Sequence, residues 1–409
     1  MKAGVGYANE ANAFEAGRRA AGDAVRAAAA DRLDLILAFA GGQVDAEAFH
    51  AGVRAAAGPR APILGGSAIG VVTGEQLSYQ GSPVAVAVLE LGEPLPAVAA
   101  VGDLDRDEGE AGRRLGRALS GAGTAGSPAL LLFYDSVRVP ATATAPPVMN
   151  ASRPRVAGLT EGLPGCPPVT GAGVLGDYAF SATWQFCGDA VRRQQAVGAL
   201  LPRSTRTCLQ VMHGCTPMDG IPHVLTRLEG GVLHEIDGLP AADRIDEIYG
   251  SRDWRAQRPV NRLTIGVRQG DPFQLPGEDA WVNRLLTGVM PDGKAVGLFE
   301  PDLDQGMEVL FMLRDPMLTL ESARDGSRRA VERMRAAGAR PRFALYVDCA
   351  GRTAALSRTP TEEAAEVQAV MNREGIPLLG FYSGVEVAPM RGVSRGLDWT
   401  GVLLLLGEG

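Results

Sequence analysis

Three times along this chain a proline is followed, after two residues, by a glycine, and a second glycine comes four or five residues later. The stretches are "PILGGSAIG" (Pro62–Gly70), "PVTGAGVLG" (Pro168–Gly176) and "PLLGFYSG" (Pro377–Gly384). A recurrence at fixed spacing constrains the fold more than any lone motif, because every copy has to solve the same packing problem. The flanks recur with it. Upstream of each copy lies an apolar, strand-like run: "LDLILAFAGG", "PALLLFYDSV" and "RFALYVDCAGR". Ahead of each strand is a stretch with a paired arginine: "FEAGRRAAGDAVRAA", "GEAGRRLGRALSG" and "RDGSRRAVERMRAAG". Its apolar residues recur at three- and four-residue steps, the pattern of an amphipathic helix. Further strands follow each glycine turn, in "SPVAVAVLEL", "AVRRQQAVGALL" and "DWTGVLLLL".

The repeating unit is therefore helix, buried strand, variable crossover, strand, glycine turn and closing strands. In the third copy the crossover is helical: "TPTEEAAEVQAVMNREG" offers a threonine cap, acids in the first turn and a terminal glycine. The first two strands of each unit are expected to pair in parallel, joined by a right-handed crossover. Residues 202–320 read differently, with a Gly-Gly hairpin in "LTRLEGGVLHEIDG", a helix in "LPAADRIDEIYG" and strands in "NRLTIGVRQG", "KAVGLFEP" and "MEVLFMLRD". The expected architecture is α/β, with repeated helix-strand-crossover-strand units forming mixed sheets. An N-terminal domain over 1–201 holds two repeats. A C-terminal domain over 202–409 holds the α+β segment (202–320) and the third repeat (321–409).

Charge and cysteine usage narrow the function. The net charge is −7 with no long basic run, so nucleic acid is not an expected partner. The five cysteines are scattered without a C-x-x-C pair, which suits a reducing compartment rather than a disulfide framework. The N-terminus lacks the apolar core of a signal peptide, and the longest apolar runs, such as Gly401–Leu406, are strand-length. A cytoplasmic protein with no membrane contact is expected.

Gly171, Gly173 and Gly176 match the dinucleotide-binding spacing G-x-G-x-x-G, but a phosphate loop must open a helix. Here "DYAFSATWQFCGD" and, after Gly70, "VVTGEQLSYQGSPVAV" read as strand instead. The glycines then serve close strand crossings, and a turn at a strand end also exposes N–H groups as an anion nest. Gly65, Gly66, Ser67, Gly171 and Gly173 are the expected ligand-facing positions of the first two copies. Cys349, Arg352, Ser383 and Glu386 are those of the third. Beside that turn a Glu386 carboxylate would take a cationic group while nearby N–H groups take an anionic one, a pairing that suits an amino acid.

No catalytic residue is assigned, since none of the four histidines lies near Cys349 in sequence. The segment "CLQVMHGCTPMDGIPH" gathers Cys208, His213, Cys215 and His223, but its spacing matches no standard zinc site. No cofactor is expected. His213 and Cys215 are the alternative haem or metal ligands by residue type.

"LLGFYSGVEVAP" with "VDCAGR", "HGCTPMDGIPHVLTRLEGGVLHEIDGLPAAD" and "ILGGSAIGVV" together resemble FIST domains across essentially the whole chain. The resemblance implies a signal-transduction input module that binds small ligands such as amino acids. Haem is associated with some members, which points again to His213. With no output segment in the sequence, the expected signal passes to a separate partner protein.

Overall fold

The structure is a computed structural model and describes residues 1–121, 126–142, 147–271 and 277–409. Three six-stranded sheets share one strand order. In the first, Lys2–Asn9 forms one edge, followed by Pro83–Glu90, Leu35–Gly41 and Ile63–Ala68. The second runs Ala97–Val101, Ala196–Leu200, Leu130–Asp135 and Val169–Val174, and the third Arg206–Met212, Gly401–Glu408, Arg340–Cys349 and Leu378–Ser383. The last two strands of each set run parallel, with Ala38 beside Gly65, Leu132 beside Gly171 and Tyr346 beside Gly380. This is the expected parallel pair, and it puts the three Pro-x-x-Gly glycines in equivalent places.

The remaining two strands of every sheet come from another unit. Past its second glycine the chain leaves its own sheet and forms a hairpin on a neighbouring one. Gln185–Cys187 and Ala190–Arg192 complete the first sheet, and Val385–Met390 and Val393–Leu397 complete the second. Val71–Thr73 and Leu77–Ser78 complete the third. The exchange is cyclic: the first unit completes the third sheet, the third completes the second, and the second completes the first.

The inner faces of the three sheets meet in one apolar core. Near its middle Phe39 stacks on Phe381 with ring centroids 3.8 Å apart, and Phe133 stands edge-on to both at 5.3 and 6.1 Å. Each outer face is covered by a helix pair: Ala13–Ala28 with Ala46–Ala57, Glu108–Leu119 with Ser152–Gly162, and Pro316–Ala336 with Glu363–Glu374. Asn12, Asp45, Asp107 and Asp315 cap four of these helices through their side chains. The last helix departs from the expected threonine cap. Glu362 is its N-cap residue and makes no side-chain cap. That carboxylate instead accepts from Ala354 N, Tyr79 and Tyr382.

The glycine turns do not form anion nests. Gly65 and Gly66 lie between two strands, paired with Ala38 and Phe39 on one side and Phe186 and Gln185 on the other. Gly171 and Gly173 are likewise held between Leu130–Asp135 and Val385–Met390. Ser67 Oγ accepts from Trp184 N at 3.0 Å. At Gly65 (φ +138°) and Gly171 a Cβ would collide with the carbonyl oxygens of Ala38 and Leu132. These glycines permit close strand approach.

The α+β segment forms its own nine-stranded antiparallel sheet between Cys215 and Arg314, with Trp254, Leu263 and Phe311 in its core. The hairpin His223–Glu229/Val232–Ile236 and the helix Ala241–Tyr249 fall where the sequence places them. Arg206–Met212, inside the expected 202–320 segment, instead joins the third six-stranded sheet. It pairs residue by residue with Gly401–Glu408, and its apolar positions are taken up there.

Candidate functional site

Strand Arg340–Cys349 ends on Asp348 and Cys349, opposite Tyr382 and Ser383 of the parallel neighbour. Carboxyl ends of parallel strands are where open α/β sheets bind ligands. Here they carry a concentration of buried charge. The chain turns through Ala350–Arg352 and delivers the Arg352 guanidinium, fully buried, between two carboxylates. It pairs with Glu363, and its Nε lies 3.2 Å from Asp348 Oδ1. Its Nη1 donates to Trp399 O (2.5 Å) and His213 O (3.3 Å). The Tyr346 hydroxyl donates to Glu363 at 3.3 Å.

Two buried carboxyls cannot both ionise against one guanidinium at low cost. Burial, followed by the charge of Glu363, holds the Asp348 carboxyl well above the usual carboxylate range. Burial raises Glu363 as well, opposed by its contact with Arg352. Neither Asp348 oxygen meets a donor in hydrogen-bonding geometry, so the shared proton belongs on Asp348.

Ser383 and Glu386 stand beside this group. The Ser383 hydroxyl lies 3.0 Å from Asp348 O and 2.9 Å from Glu386 Oε1, yet it carries one proton. Both contacts are satisfied if Ser383 donates to the carbonyl and a protonated Glu386 donates to Ser383. Burial pushes the Glu386 carboxyl well above its ordinary value, in keeping with that count. Glu386 Oε2 has no partner. Cys349 is nearly inaccessible, and burial together with Glu386 pushes its thiol far up, so it is a packed, inert thiol.

The α+β segment closes the seat from the other side. Arg314 lies over the Trp399 ring, 3.5 Å from its Cζ to the centroid. Trp399 adopts φ +54°, uncommon for a bulky residue, and its indole N–H is unpartnered. Asp398 accepts from Leu285 N at 2.9 Å, keeps a free Oδ1, and is pushed up to about 6 chiefly by burial. The fold thus brings Cys349, Arg352, Ser383 and Glu386 into one buried polar seat, while Gly65, Gly66, Ser67, Gly171 and Gly173 stay in strand pairings outside it. Sequence reasoning missed Asp348, Glu363, Arg314, Asp398 and Trp399. Asp348 alone left a signal, as a carboxylate inside an otherwise apolar strand.

Two family models match in succession: a FIST N domain over residues 34–239 and a FIST C domain over residues 241–389. The chain belongs to the FIST family. FIST domains are associated with sensory and signal-transduction proteins. The junction of the two FIST models falls inside the α+β segment, at the strand Leu239–Pro240 just before the helix Ala241–Tyr249.

An uncharacterized protein of Mycobacterium tuberculosis is 30% identical over 236 residues, which are 57% of this chain and 59% of that protein. An uncharacterized protein of Mycobacterium bovis is 30% identical over 234 residues, 56% of this chain and 58% of the relative. The matched stretch thus spans less than two thirds of these relatives. Among solved structures, PurLQS from Thermotoga maritima aligns with all of this chain and 72% of its own at 10% identity, with a TM-score of 0.23. That likeness assigns neither a fold nor an activity.

Haem, implied by the FIST resemblance, does not fit His213. The imidazole is fully buried, and its Nδ1 accepts from Cys215 N at 2.9 Å. Nε2, 2.9 Å from Glu278 O, must then carry the proton and donate it. Both ring nitrogens are spent within the protein. The Cys215 thiol is pushed up to about 12 by burial, which disfavours the thiolate that would bind iron. Among the described residues no three His, Cys, Asp or Glu side chains converge to hold a metal ion.

Proposed function

We propose that this FIST protein is a cytoplasmic sensor. Its seat at the ends of Arg340–Cys349 and Leu378–Ser383 takes a small amino-acid-like ligand, and its occupancy is passed to a separate partner protein. The observation that carries this reading is the pair of carboxyl oxygens without partners, Oε2 of Glu386 and Oδ1 of Asp398, both fully buried. Buried polar groups in folded proteins find partners, so acceptors of this kind call for a donor the chain does not supply. An ammonium group supplies three N–H donors and the charge that would let Glu386 ionise. The unpartnered Trp399 N–H offers a donor for the ligand's anionic end. The seat joins the α+β segment to the three-sheet core, so a ligand there bears on how the two are held together. The five cysteines are free, which supports the cytoplasmic assignment.

Thermal unfolding against a panel of the common amino acids, each at millimolar concentration, tests the proposal. A ligand that binds only the native state stabilises it by about 2.7 kcal/mol at a hundredfold excess over Kd. A saturable rise in Tm is expected for a small subset of the panel, lost in Glu386→Gln. A flat response across the whole panel contradicts the reading.

A further inference from the structure

On the opposite face of the second sheet lies a second group of buried polar atoms, unconnected with the ligand seat. Ala388 faces the inner core and Val387 the outer one, so strand alternation turns Glu386 inward. Tyr134, packed in the outer core against the helix Ser152–Gly162, points the other way. Above its ring sits Arg155 of that helix, with Cζ 3.5 Å from the ring centroid. Arg155 is fully buried, and none of its three nitrogens meets an acceptor in hydrogen-bonding geometry.

The nearby carboxylates Glu300 and Glu108 act on its charge but make their hydrogen bonds elsewhere. Glu300 accepts from Ser152 N at 2.8 Å, capping the helix, and Glu108 pairs with Arg138 at 3.3 Å. Three hydroxyls on the same face are buried and unpartnered as well: Tyr134, Ser136 and Ser152. The strands make room for the two serines with glycine. A Cβ on Gly173 would collide with Ser136 Oγ and the Tyr134 ring, and one on Gly396 with Ser152 Oγ.

A guanidinium has donors only, and an unpaired one in the protein interior is costly. Four groups able to donate, gathered on one face with no carboxylate of the chain hydrogen-bonded to the guanidinium or to any of the three hydroxyls, call for an oxyanion.

We infer that Arg155, with the hydroxyls of Tyr134, Ser136 and Ser152, forms a second binding site, for the carboxylate or phosphoryl group of a small anionic effector. The site does not depend on the amino-acid reading of the seat on the inner face. Because all four groups are buried, the effector enters only when the helix Ser152–Gly162 loosens from the sheet, so binding is slow. Its occupancy ties that helix, and through Glu300 the α+β segment, to the second sheet.

Titration of the protein with sodium phosphate and with sodium acetate, at constant ionic strength over a chloride background, tests the site through Tm and the heat of binding. At least one of the two oxyanions is expected to raise Tm saturably, phosphate for a phosphoryl effector and acetate for a carboxylate. The effect should vanish in Arg155→Gln, weaken at least fivefold in Ser152→Ala and persist in Arg153→Gln, an exposed neighbour on the same helix. Should Arg155→Gln fail to fold, Ser152→Ala decides. No saturable shift with either salt, as expected if water alone fills the space, overturns the proposal. So does an equal shift in wild type and in Ser152→Ala.

Discussion

Replacing Arg352 with methionine is expected to lower the unfolding free energy by about 3–5 kcal/mol, the usual cost of removing one partner from a buried ion pair. The guanidinium touches Glu363 and Asp348 and holds the carbonyls of Trp399 and His213, and the neutral Tyr346 hydroxyl on Glu363 cannot replace its charge. The loss should depend on pH, and the sign follows from the carboxyls. Asp348 and Glu363 already sit above their unfolded values, and removing the cation raises both further. The folded variant then binds more protons than the unfolded chain, so its stability falls as pH rises. The deficit relative to wild type should be larger at pH 8 than at pH 5. Glu363→Leu added to Arg352→Met should restore part of the loss, since a buried pair replaced by apolar groups can be nearly neutral. Denaturant unfolding at the two pH values measures all of this. A deficit under about 1 kcal/mol at pH 8 would mean the pair is not buried as described.

Cutting the chain between residues 201 and 202 is expected to abolish folding of both halves when each is expressed alone. The second sheet borrows Val385–Met390 and Val393–Leu397 from the C-terminal half, and the third borrows Val71–Thr73 and Leu77–Ser78 from the N-terminal half. Each fragment would expose an unpaired parallel strand with its apolar inner face, the condition that leads to aggregation. Co-expression should recover a soluble, folded complex. The intact chain should unfold with the three sheets melting together. Two independently folded, monomeric halves with native-like circular dichroism would show that the hairpin exchange is dispensable.

The units themselves were legible in the sequence because helix, strand and turn are written in local periodicity. The Pro-x-x-Gly frame located Gly65, Gly171 and Gly380 in equivalent positions, and the "LEGGV" hairpin fell where its glycines put it. The exchange of hairpins was not legible. Local sequence specifies that 71–78, 185–192 and 385–397 are extended, but not which sheet edge accepts them. The same limit applies to the seat. Cys349, Arg352, Ser383 and Glu386 flank the third turn and could be found from it. Arg314 reaches the seat only from the α+β segment, while Asp398 and Trp399 come from the third unit but lie some fifty residues beyond the strand end they meet. The anion-nest expectation failed because sheet pairing on both sides consumes the N–H groups that a free turn would have exposed.

Calorimetric titration with the best amino acid of the panel, in two buffers of matched pH but different ionisation heat, tests the ligand seat most directly. Burial raises the Glu386 carboxyl well above its ordinary range, and an ammonium group beside it would lower its pKa. Binding near pH 7 should therefore release a proton, and affinity should rise with pH. The predicted result is a binding heat that differs between the buffers by the heat of taking up roughly one proton. In Glu386→Gln the proton release should disappear along with most of the affinity. A buffer-independent heat with undiminished affinity in Glu386→Gln would contradict the assignment of this seat.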